Sequence, residues 1–296
     1  MSTVPVRLES STFERRKVPW AVRRRRFLVS VANHSLLIAA AIAFAAPFVF
    51  IVLTALMTHD QALSPDLWPH PFRWSNFTDV FHNAPMLRWT LNTALYAGLA
   101  TLGVLVSSIP VAYALSKLRW RGRDTVFLVV LVALMLPPQV TVIPLYVMWA
   151  KLDLVGTLWP LVLPVWFGDA FSIFLLRQFF LTVPEEYLDA ARVDGCGELR
   201  ILATVVCRLA KPAIAAVALF SVLYTFNDFF LPLLYTGENS SNWPVSVGLS
   251  QYRNLHQVQW NLTMAATLVV MAPVIILFFL AQRAFVEGVT LTGVKG

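Results

Sequence analysis

Long apolar stretches with very few charges recur along this chain, and they restrict what it can fold into. A helix needs roughly 20 apolar residues to cross the hydrocarbon layer of a bilayer. Such stretches occupy residues 35–57, 91–115, 125–150, 155–176, 213–235 and 262–281. Only 13% of the 296 residues are charged, which is about half the share found in typical soluble domains. The sequence therefore predicts an all-α integral membrane protein with six transmembrane helices.

Lysine and arginine residues are divided unequally between the two alternating sets of loops that six spans create. Nineteen of the 23 lie in the N-terminal tail, after the second, fourth and sixth spans, and four lie in the other loops. Basic loops of this kind stay on the cytoplasmic side of a membrane. We therefore predict cytoplasmic N and C termini, with residues 1–34 as a basic cytoplasmic tail and residues 35–296 as a transmembrane domain.

The net charge of +7 is compatible with a nucleic-acid partner or with a membrane topology. Because the charge follows the loop pattern, we expect contact with anionic membrane lipid and no nucleic acid. The first apolar run is longer than the core of a signal peptide and has no clear cleavage site after it, so it is expected to remain as a span.

Prolines lie well inside two of the predicted spans. The third contains Pro137, Pro138 and Pro144, and the fourth contains Pro160 and Pro164. Interior proline bends a helix and frees a backbone carbonyl, which in lipid must face protein or a water-filled cavity. Broken spans favour a transport function, although proline is also common in membrane helices generally.

The segment between the fourth and fifth spans predicts a short helix. Pro184 suits its first position, Glu186 lies near the positive end of its dipole, and Gly195 suits a left-handed stop. A helix this short is marginal alone and must pack against something. Ala190 and Ala191 give it a face with little side chain, which permits close approach by a partner.

An amphipathic helix with separate apolar and basic faces follows, and Pro212 is expected to end or kink it before the fifth span. From the pattern alone this helix could equally lie on lipid headgroups. The chain contains no G-x-x-x-x-G-K-S/T run, so it is not expected to hydrolyse ATP.

The run DAARVDG at residues 189–195 resembles the EAA loop in the permease subunits of binding-protein-dependent ATP-binding-cassette importers. That loop reads roughly E-A-A-x-x-D-G, followed by L-P and then by a second proline. Asp189 stands at the position of Glu and keeps its charge. Cys207 and Arg208 occupy the L-P positions, and Pro212 matches the second proline.

Other segments are similar to maltose-type permeases in the same order and spacing. They are AYAL at 112–115, RGR at 121–123, LPP at 136–138, IPLY at 143–146, FLLRQFF at 174–180 and GVKG at 293–296. The resemblance covers residues 74–296 and implies the type I importer permease fold, in a multi-pass protein of the bacterial plasma (inner) membrane.

This resemblance implies partners and a coupling site. The partners are a second homologous permease subunit, two cytoplasmic ATPase subunits that hold ATP and Mg, an external solute-binding protein and a sugar-like substrate; no cofactor is expected in this chain. The loop at 177–212 would contain the coupling helix. Its candidate contacts to the ATPase are Glu186, Asp189, Ala190, Ala191, Asp194 and Gly195.

Polar side chains inside the spans are candidates for the substrate path. An ionisable residue at membrane depth marks a polar cavity by default, and an interhelical hydrogen bond is the alternative explanation. Hydroxyls, amides and carboxylates suit the hydroxyl groups of a sugar. The candidates are Asp169, Gln139, Tyr146, Ser172, Tyr224, Asn227 and Asp228.

Two other functions remain open at this point. A membrane-embedded lipid-modifying enzyme would need a His, Ser or paired-carboxylate site at membrane depth, but the five histidines fall at predicted span ends or in outer loops. A stand-alone secondary transporter or channel would have no clear use for a docking-type loop on the cytoplasmic side.

Overall fold

The structure is a computed structural model that describes residues 20–250 and 259–290, with the backbone alone for residues 21–23, 25, 26, 138 and 280–290. The predicted tail up to residue 19 and the GVKG ending lie outside the described residues. Within these ranges every regular element is helical.

The α-helices are α1 (Trp20–Ala55), α2 (Asn76–Asn83), α3 (Met86–Ser116), α4 (Arg123–Met135), α5 (Pro138–Lys151), α6 (Trp159–Val162), α7 (Ala170–Leu181), α8 (Glu185–Val193), α9 (Glu198–Ile201), α10 (Cys207–Leu209), α11 (Lys211–Asn227), α12 (Phe230–Thr236), α13 (Val245–Leu249) and α14 (Trp260–Thr290). Short 3-10 turns lie at Gln61–Leu63, Leu163–Phe167 and Ser240–Asn242, and a π-helical turn lies at Leu202–Val206.

Helix α1 begins at Trp20, well before the predicted start of the first span near residue 35. The second half of the predicted basic tail is therefore helical. The arginines near the start of α1 make this stretch less apolar, but they do not break the helix. Residues 20–50 belong to a unit of their own, in which most side chains from Phe27 onward are apolar and almost all are exposed. An apolar surface of this extent requires lipid or protein to cover it.

Four helices are long and apolar enough to cross a membrane: Phe27–Ala55, Met86–Ser116, Trp159–Leu181 and Trp260–Phe279. Two bent helix pairs pass the same test, and the number of spans reaches six when each pair counts as one. This agrees with the predicted number of six.

The third predicted span is broken, as its prolines indicate. Helices α4 and α5 meet at an angle of 94° across Leu136 and Pro137. Both of these residues are extended, with ψ of 122° and 129°, because helical geometry is disfavoured for a residue before proline. Pro144 lies inside α5 without ending it.

The fourth and fifth spans differ from their predicted bounds. The fourth extends to Leu181 and is interrupted between the 3-10 turn at Leu163–Phe167 and α7. The predicted fifth span at 213–235 is not continuous, because Asp228 is extended and separates α11 from α12. The amphipathic helix at Glu198–Leu209 meets α11 at 83°, close to the kink predicted at Pro212.

Helix α3 contacts α2, α4, α6, α7, α11 and α13, and it contributes residues to the largest apolar core. That core joins the C-terminal half of α3 to α7, α8 and α11, and its fully buried members include Leu176, Phe180, Leu188 and Val217. Helix α8 is therefore fixed to the end of α3 by apolar packing as well as by polar contacts.

Gly103 allows the indole of Trp166 to lie directly on the backbone of α3. A Cβ atom at this position would lie 2.4 Å from the nearest indole carbon of Trp166, whose Nε1 donates to the carbonyl oxygen of Leu99 at 3.1 Å. The interrupted fourth span is held against α3 at this point. A side chain here would force the two elements apart.

We expect Gly103→Ala to destabilise the protein by about 1–3 kcal/mol, because overpacking a close contact has a cost of that size. The midpoint of thermal unfolding in detergent measures the effect. Gly98→Ala is the matched control on the same helix, since a Cβ atom added there would have nothing within 4 Å; it should leave the midpoint unchanged or raise it. Equal effects of the two substitutions would contradict the contact.

Candidate functional site

The short helix α8 has the start and stop that the sequence predicts. Pro184 is extended and precedes Glu185, and Glu185 and Glu186 lie in the first turn. Gly195 follows the C-cap residue Asp194 with φ of +79°, a conformation that glycine adopts without the cost of a Cβ atom. With only nine residues, this helix depends on its surroundings for stability.

The N-terminal end of α8 is attached to α3 through Lys117. Its side chain is only 3% exposed, and Nζ donates to the carbonyl oxygen of Val183 at 2.6 Å and to Oε1 of Glu185 at 2.9 Å. A buried ammonium group is costly unless it is paired and hydrogen-bonded. These two contacts therefore fix the position of the chain just before α8.

The C-terminal end of α8 is attached to the same part of α3 through Glu198. The hydroxyl of Tyr113 donates to Oε2 of Glu198, and Nε of Arg192 donates to Oε1 at 2.9 Å. A second nitrogen of Arg192 donates to Oδ1 of Asp189 at 2.8 Å. The Arg192 guanidinium, and after it the Tyr113 hydroxyl, lower the pKa of the Glu198 carboxyl, because both donate hydrogen bonds to its charged form.

The outer side of α8 and of the following turn is exposed and partly apolar. Val193 is 88% exposed, Leu199 is 80% exposed and Tyr187 is 57% exposed. Of the six predicted coupling residues, five are exposed: Glu186, Asp189, Ala190, Asp194 and Gly195. Ala191 is half-buried and packs against the core beside Leu188, so it contributes less to the predicted small-residue face than Ala190 does.

Asp169 lies at the break before α7 and caps that helix. Its Oδ2 accepts hydrogen bonds from the backbone N–H of Ser172 at 2.8 Å and from the hydroxyl of Ser172 at 2.5 Å. Ser172 is buried. Both path candidates therefore have a local structural role, and Asp169 remains partly accessible beyond it.

Asp228 lies at the corresponding break between α11 and α12. Its Oδ2 accepts from the Tyr96 hydroxyl at 3.1 Å and its Oδ1 from the backbone N–H of Leu231 at 3.4 Å. The carbonyl oxygen of Asp228 accepts from the Ser246 hydroxyl at 2.7 Å. This break is therefore held from α3, from α12 and from α13.

Tyr224 lies near both of these breaks. It is 65% exposed, and Asp228 and Asp169 are both within electrostatic range of its hydroxyl. Asn227 is also exposed, and its amide donates only to the carbonyl oxygen of Leu223 in its own helix at 2.7 Å. Five of the seven predicted path residues thus form one polar group, which we call the carboxylate cluster: Asp169, Ser172, Tyr224, Asn227 and Asp228.

No contact given by the described residues joins the other two path candidates to this group. Tyr146 stacks on Tyr235, with ring centroids 6.2 Å apart, and packs in a separate apolar core. Gln139 is exposed in the first turn of α5. Among the described residues, no group of three or more His, Cys, Asp or Glu side chains could hold a metal ion.

The family described as "Binding-protein-dependent transport system inner membrane component" matches residues 101–291. The chain belongs to this family. It is a permease subunit of an ATP-binding-cassette importer, a multi-pass protein of the inner membrane, and not an enzyme; the ATPase of such an importer is a separate subunit. The predicted class of protein is therefore confirmed over both alternatives.

Relatives with different cargoes are similar to this permease. The arabinooligosaccharides transport system permease protein AraQ of Halalkalibacterium halodurans is 32% identical, over 82% of this chain and 86% of the relative. The sn-glycerol-3-phosphate transport system permease protein UgpE of Yersinia pestis is 33% identical, over 75% of this chain and 81% of the relative.

A solved structure shares the fold. A bacterial ABC transporter involved in the import of the acidic polysaccharide alginate superposes on this permease with a TM-score of 0.78. The sequences are 24% identical, and the alignment covers 88% of this permease and 98% of that chain. The predicted importer permease fold is therefore confirmed.

Several residues of the site were not predicted as site residues, among them three that lie in or at the end of α3. Lys117 appeared only as one of the basic loop residues, Tyr113 only within the AYAL match, and Tyr96 not at all. A tyrosine inside an apolar span was an available signal for Tyr96, because its hydroxyl needs a partner when buried. Nothing local in the sequence shows that Lys117 is buried against a loop more than 60 residues away.

We expect Asp169→Ala to destabilise the permease by about 0.5–2 kcal/mol, the usual cost of losing an N-cap side chain. Asp169→Asn keeps an acceptor for the Ser172 N–H and should lose much less. The midpoint of thermal unfolding in detergent compares them. If both variants unfold at the wild-type temperature, the cap does not contribute to stability.

Proposed function

We propose that this permease forms half of a translocation path for an uncharged, polyhydroxylated solute, a sugar or a related compound. The proposal also assigns the link to a cytoplasmic ATPase to α8. The observation that carries it is the exposed outer side of α8, where apolar and small side chains remain uncovered although both ends of the helix are attached to the rest of the chain.

Exposed apolar residues on a loop outside the membrane favour a protein partner. Val193 and Leu199 are almost fully accessible, and Ala190 between the attached ends allows close approach. Acidic side chains at Glu186, Asp189 and Asp194 surround this patch, which adds polar specificity at its edge. A groove on an ATPase subunit, with basic residues at its rim, fits this arrangement.

The remaining partners follow from membership in the family. They are a second, homologous permease subunit, two ATPase subunits with ATP and Mg, and an external solute-binding protein. A second solved transporter is described as a bacterial alginate ABC transporter in complex with a pentasaccharide-bound periplasmic protein, which supports the last of these. The proposal places both termini and α8 in the cytoplasm, in agreement with the distribution of lysine and arginine.

The carboxylate cluster favours an uncharged solute. Asp169 and Asp228 both lie at helix breaks, where they occupy the helix ends that could otherwise receive an anion. The described residues of α3, α7 and α11 place no lysine or arginine beside them. An anionic solute would meet like charges at short range in a medium of low dielectric constant, whereas hydroxyl groups can donate to the carboxylates.

We expect Ala190→Trp to abolish co-purification of the ATPase with the tagged permease, because a bulky side chain on the outer side of α8 prevents close approach. The transporter is produced with all its subunits and extracted in mild detergent, and the amount of P-loop ATPase per permease is measured. Ala203→Trp is the matched control, since Ala203 is also an exposed alanine but lies on the next helical segment.

Retention of the ATPase by Ala190→Trp, in the same amount as by the control, would contradict docking on α8. Absence of an ATPase from the wild-type complex would contradict the proposed function as a whole.

The solute class has its own test. Cells that produce the complete transporter should take up radiolabelled neutral sugars or oligosaccharides, and uptake of glycerol phosphate or of uronic-acid oligomers should be at background. Asp169→Asn removes one charge and keeps a cap acceptor, so it should leave uptake of a neutral sugar in place. Anionic uptake equal to neutral uptake would contradict the assignment.

A further inference from the structure

We propose that α3 transmits the movement of α8 to the carboxylate cluster, with Lys117 and Tyr113 as positioning residues at one end and Tyr96 at the other. This inference rests on the proposed docking of an ATPase on α8. It assigns a role to three residues that neither contact the ATPase surface nor line the exposed part of the path.

At its C-terminal end, α3 holds α8 at both ends of that helix. Lys117 contacts the connector before α8 and its first residue, and Tyr113 contacts Glu198 just after it. Tyr113 and Lys117 are one helical turn apart and therefore lie on the same side of α3. A force on α8 cannot move it far without moving the last turn of α3, unless these contacts break.

The burial of these contacts strengthens the argument. Lys117 and Tyr113 are 6% and 3% exposed, and Leu188 of α8 is fully buried in the same core. Breaking the pair between Lys117 and Glu185 would leave an uncompensated buried charge, which is strongly unfavourable. The attachment is therefore expected to persist while α8 moves.

Toward its other end, α3 contacts the carboxylate cluster. The Tyr96 hydroxyl donates to Asp228, and Tyr96 is only 4% exposed. One turn and a half further along, the hydroxyl of Thr101 donates to that of Ser221 in α11 at 3.0 Å. Both contacts connect α3 with α11, which ends at the break that Asp228 occupies.

Helix α3 is continuous between these two sets of contacts. Tyr96 and Tyr113 are separated by about 26 Å at the helical rise of roughly 1.5 Å per residue. Pro110 lies in this interval, but the helix continues through it to Ser116. The next three spans along the chain are all interrupted, so α3 is the stiff element that joins α8 to the cluster.

A cysteine at Asn227 reports on the cluster. Asn227 is exposed, and its amide bonds only to its own helix, so Asn227→Cys removes no contact between elements. The complete transporter carries this substitution in a background in which Cys196 and Cys207 are alanine, and it is placed in nanodiscs. The rate of alkylation by N-ethylmaleimide at residue 227 is followed by mass spectrometry, without nucleotide and with ATP plus vanadate.

In the parent complex the rate should differ between the two nucleotide states. In Lys117→Met and in Tyr113→Phe we expect that difference to be lost or strongly reduced, while the ATPase still co-purifies in the normal amount. Methionine fills the buried volume of lysine without charge, and Tyr113→Phe removes only a hydroxyl, so folding should be preserved. Lys117→Arg keeps the cation and should keep the difference.

Lys211→Met is the matched control, because Lys211 is an exposed lysine at the start of α11; it should behave as the parent. An undiminished nucleotide effect in both Lys117→Met and Tyr113→Phe would overturn transmission through α3. A parent complex with bound ATPase but no nucleotide effect at residue 227 would also overturn transmission to the cluster, whereas a parent complex without an ATPase would contradict the proposed function.

Discussion

Every backbone N–H and C=O group at membrane depth needs a partner, and the arrangement of this permease depends on how its broken spans meet that requirement. At the break before α7, Asp169 accepts from Ser172. At the break after α11, Asp228 accepts from Leu231, and Ser246 donates to its carbonyl oxygen. Because the chain itself supplies these hydrogen-bond partners, the spans can leave the helical conformation at both breaks.

The same groups that satisfy the broken backbone give the interior its chemistry. A carboxyl group used as a helix cap keeps part of its hydrogen-bonding capacity, so Asp169 and Asp228 contribute acceptor oxygens to the cluster. Under the proposed function, a neutral solute with many hydroxyl groups would bond to such a surface, and a phosphate or uronate would be disfavoured there. The proposal thus assigns the structural role and the solute preference to the same side chains.

The parts of the fold that local chemistry determines were predictable from the sequence. Apolar length located the spans, the proline pair at 137–138 indicated the break between α4 and α5, and Pro184 with Gly195 gave the limits of α8. The first span was predicted to begin near residue 35, whereas α1 begins at Trp20. The difference arises because hydropathy marks where lipid begins and not where the helix begins.

The break at Asp228 could not be predicted in the same way. It lies in a stretch that is apolar on both sides, and it is stabilised by Tyr96 and Ser246, which approach from other elements. The pairing of Lys117 with Glu185 and of Tyr113 with Glu198 likewise joins residues that are distant in sequence. Interactions of this kind are set by packing, which a single sequence does not display.

The attachment of both ends of α8 also explains how so short a helix can serve as a docking element. Alone, nine residues would be ordered only part of the time, and a partner would have to supply the free energy of ordering them. In this permease α8 is ordered before a partner binds, through the contacts of Lys117 and Glu198 and the burial of Leu188. Under the proposed docking, the partner would meet a helix already in place, and a displacement of that helix would be passed to α3 instead of being absorbed by local unfolding.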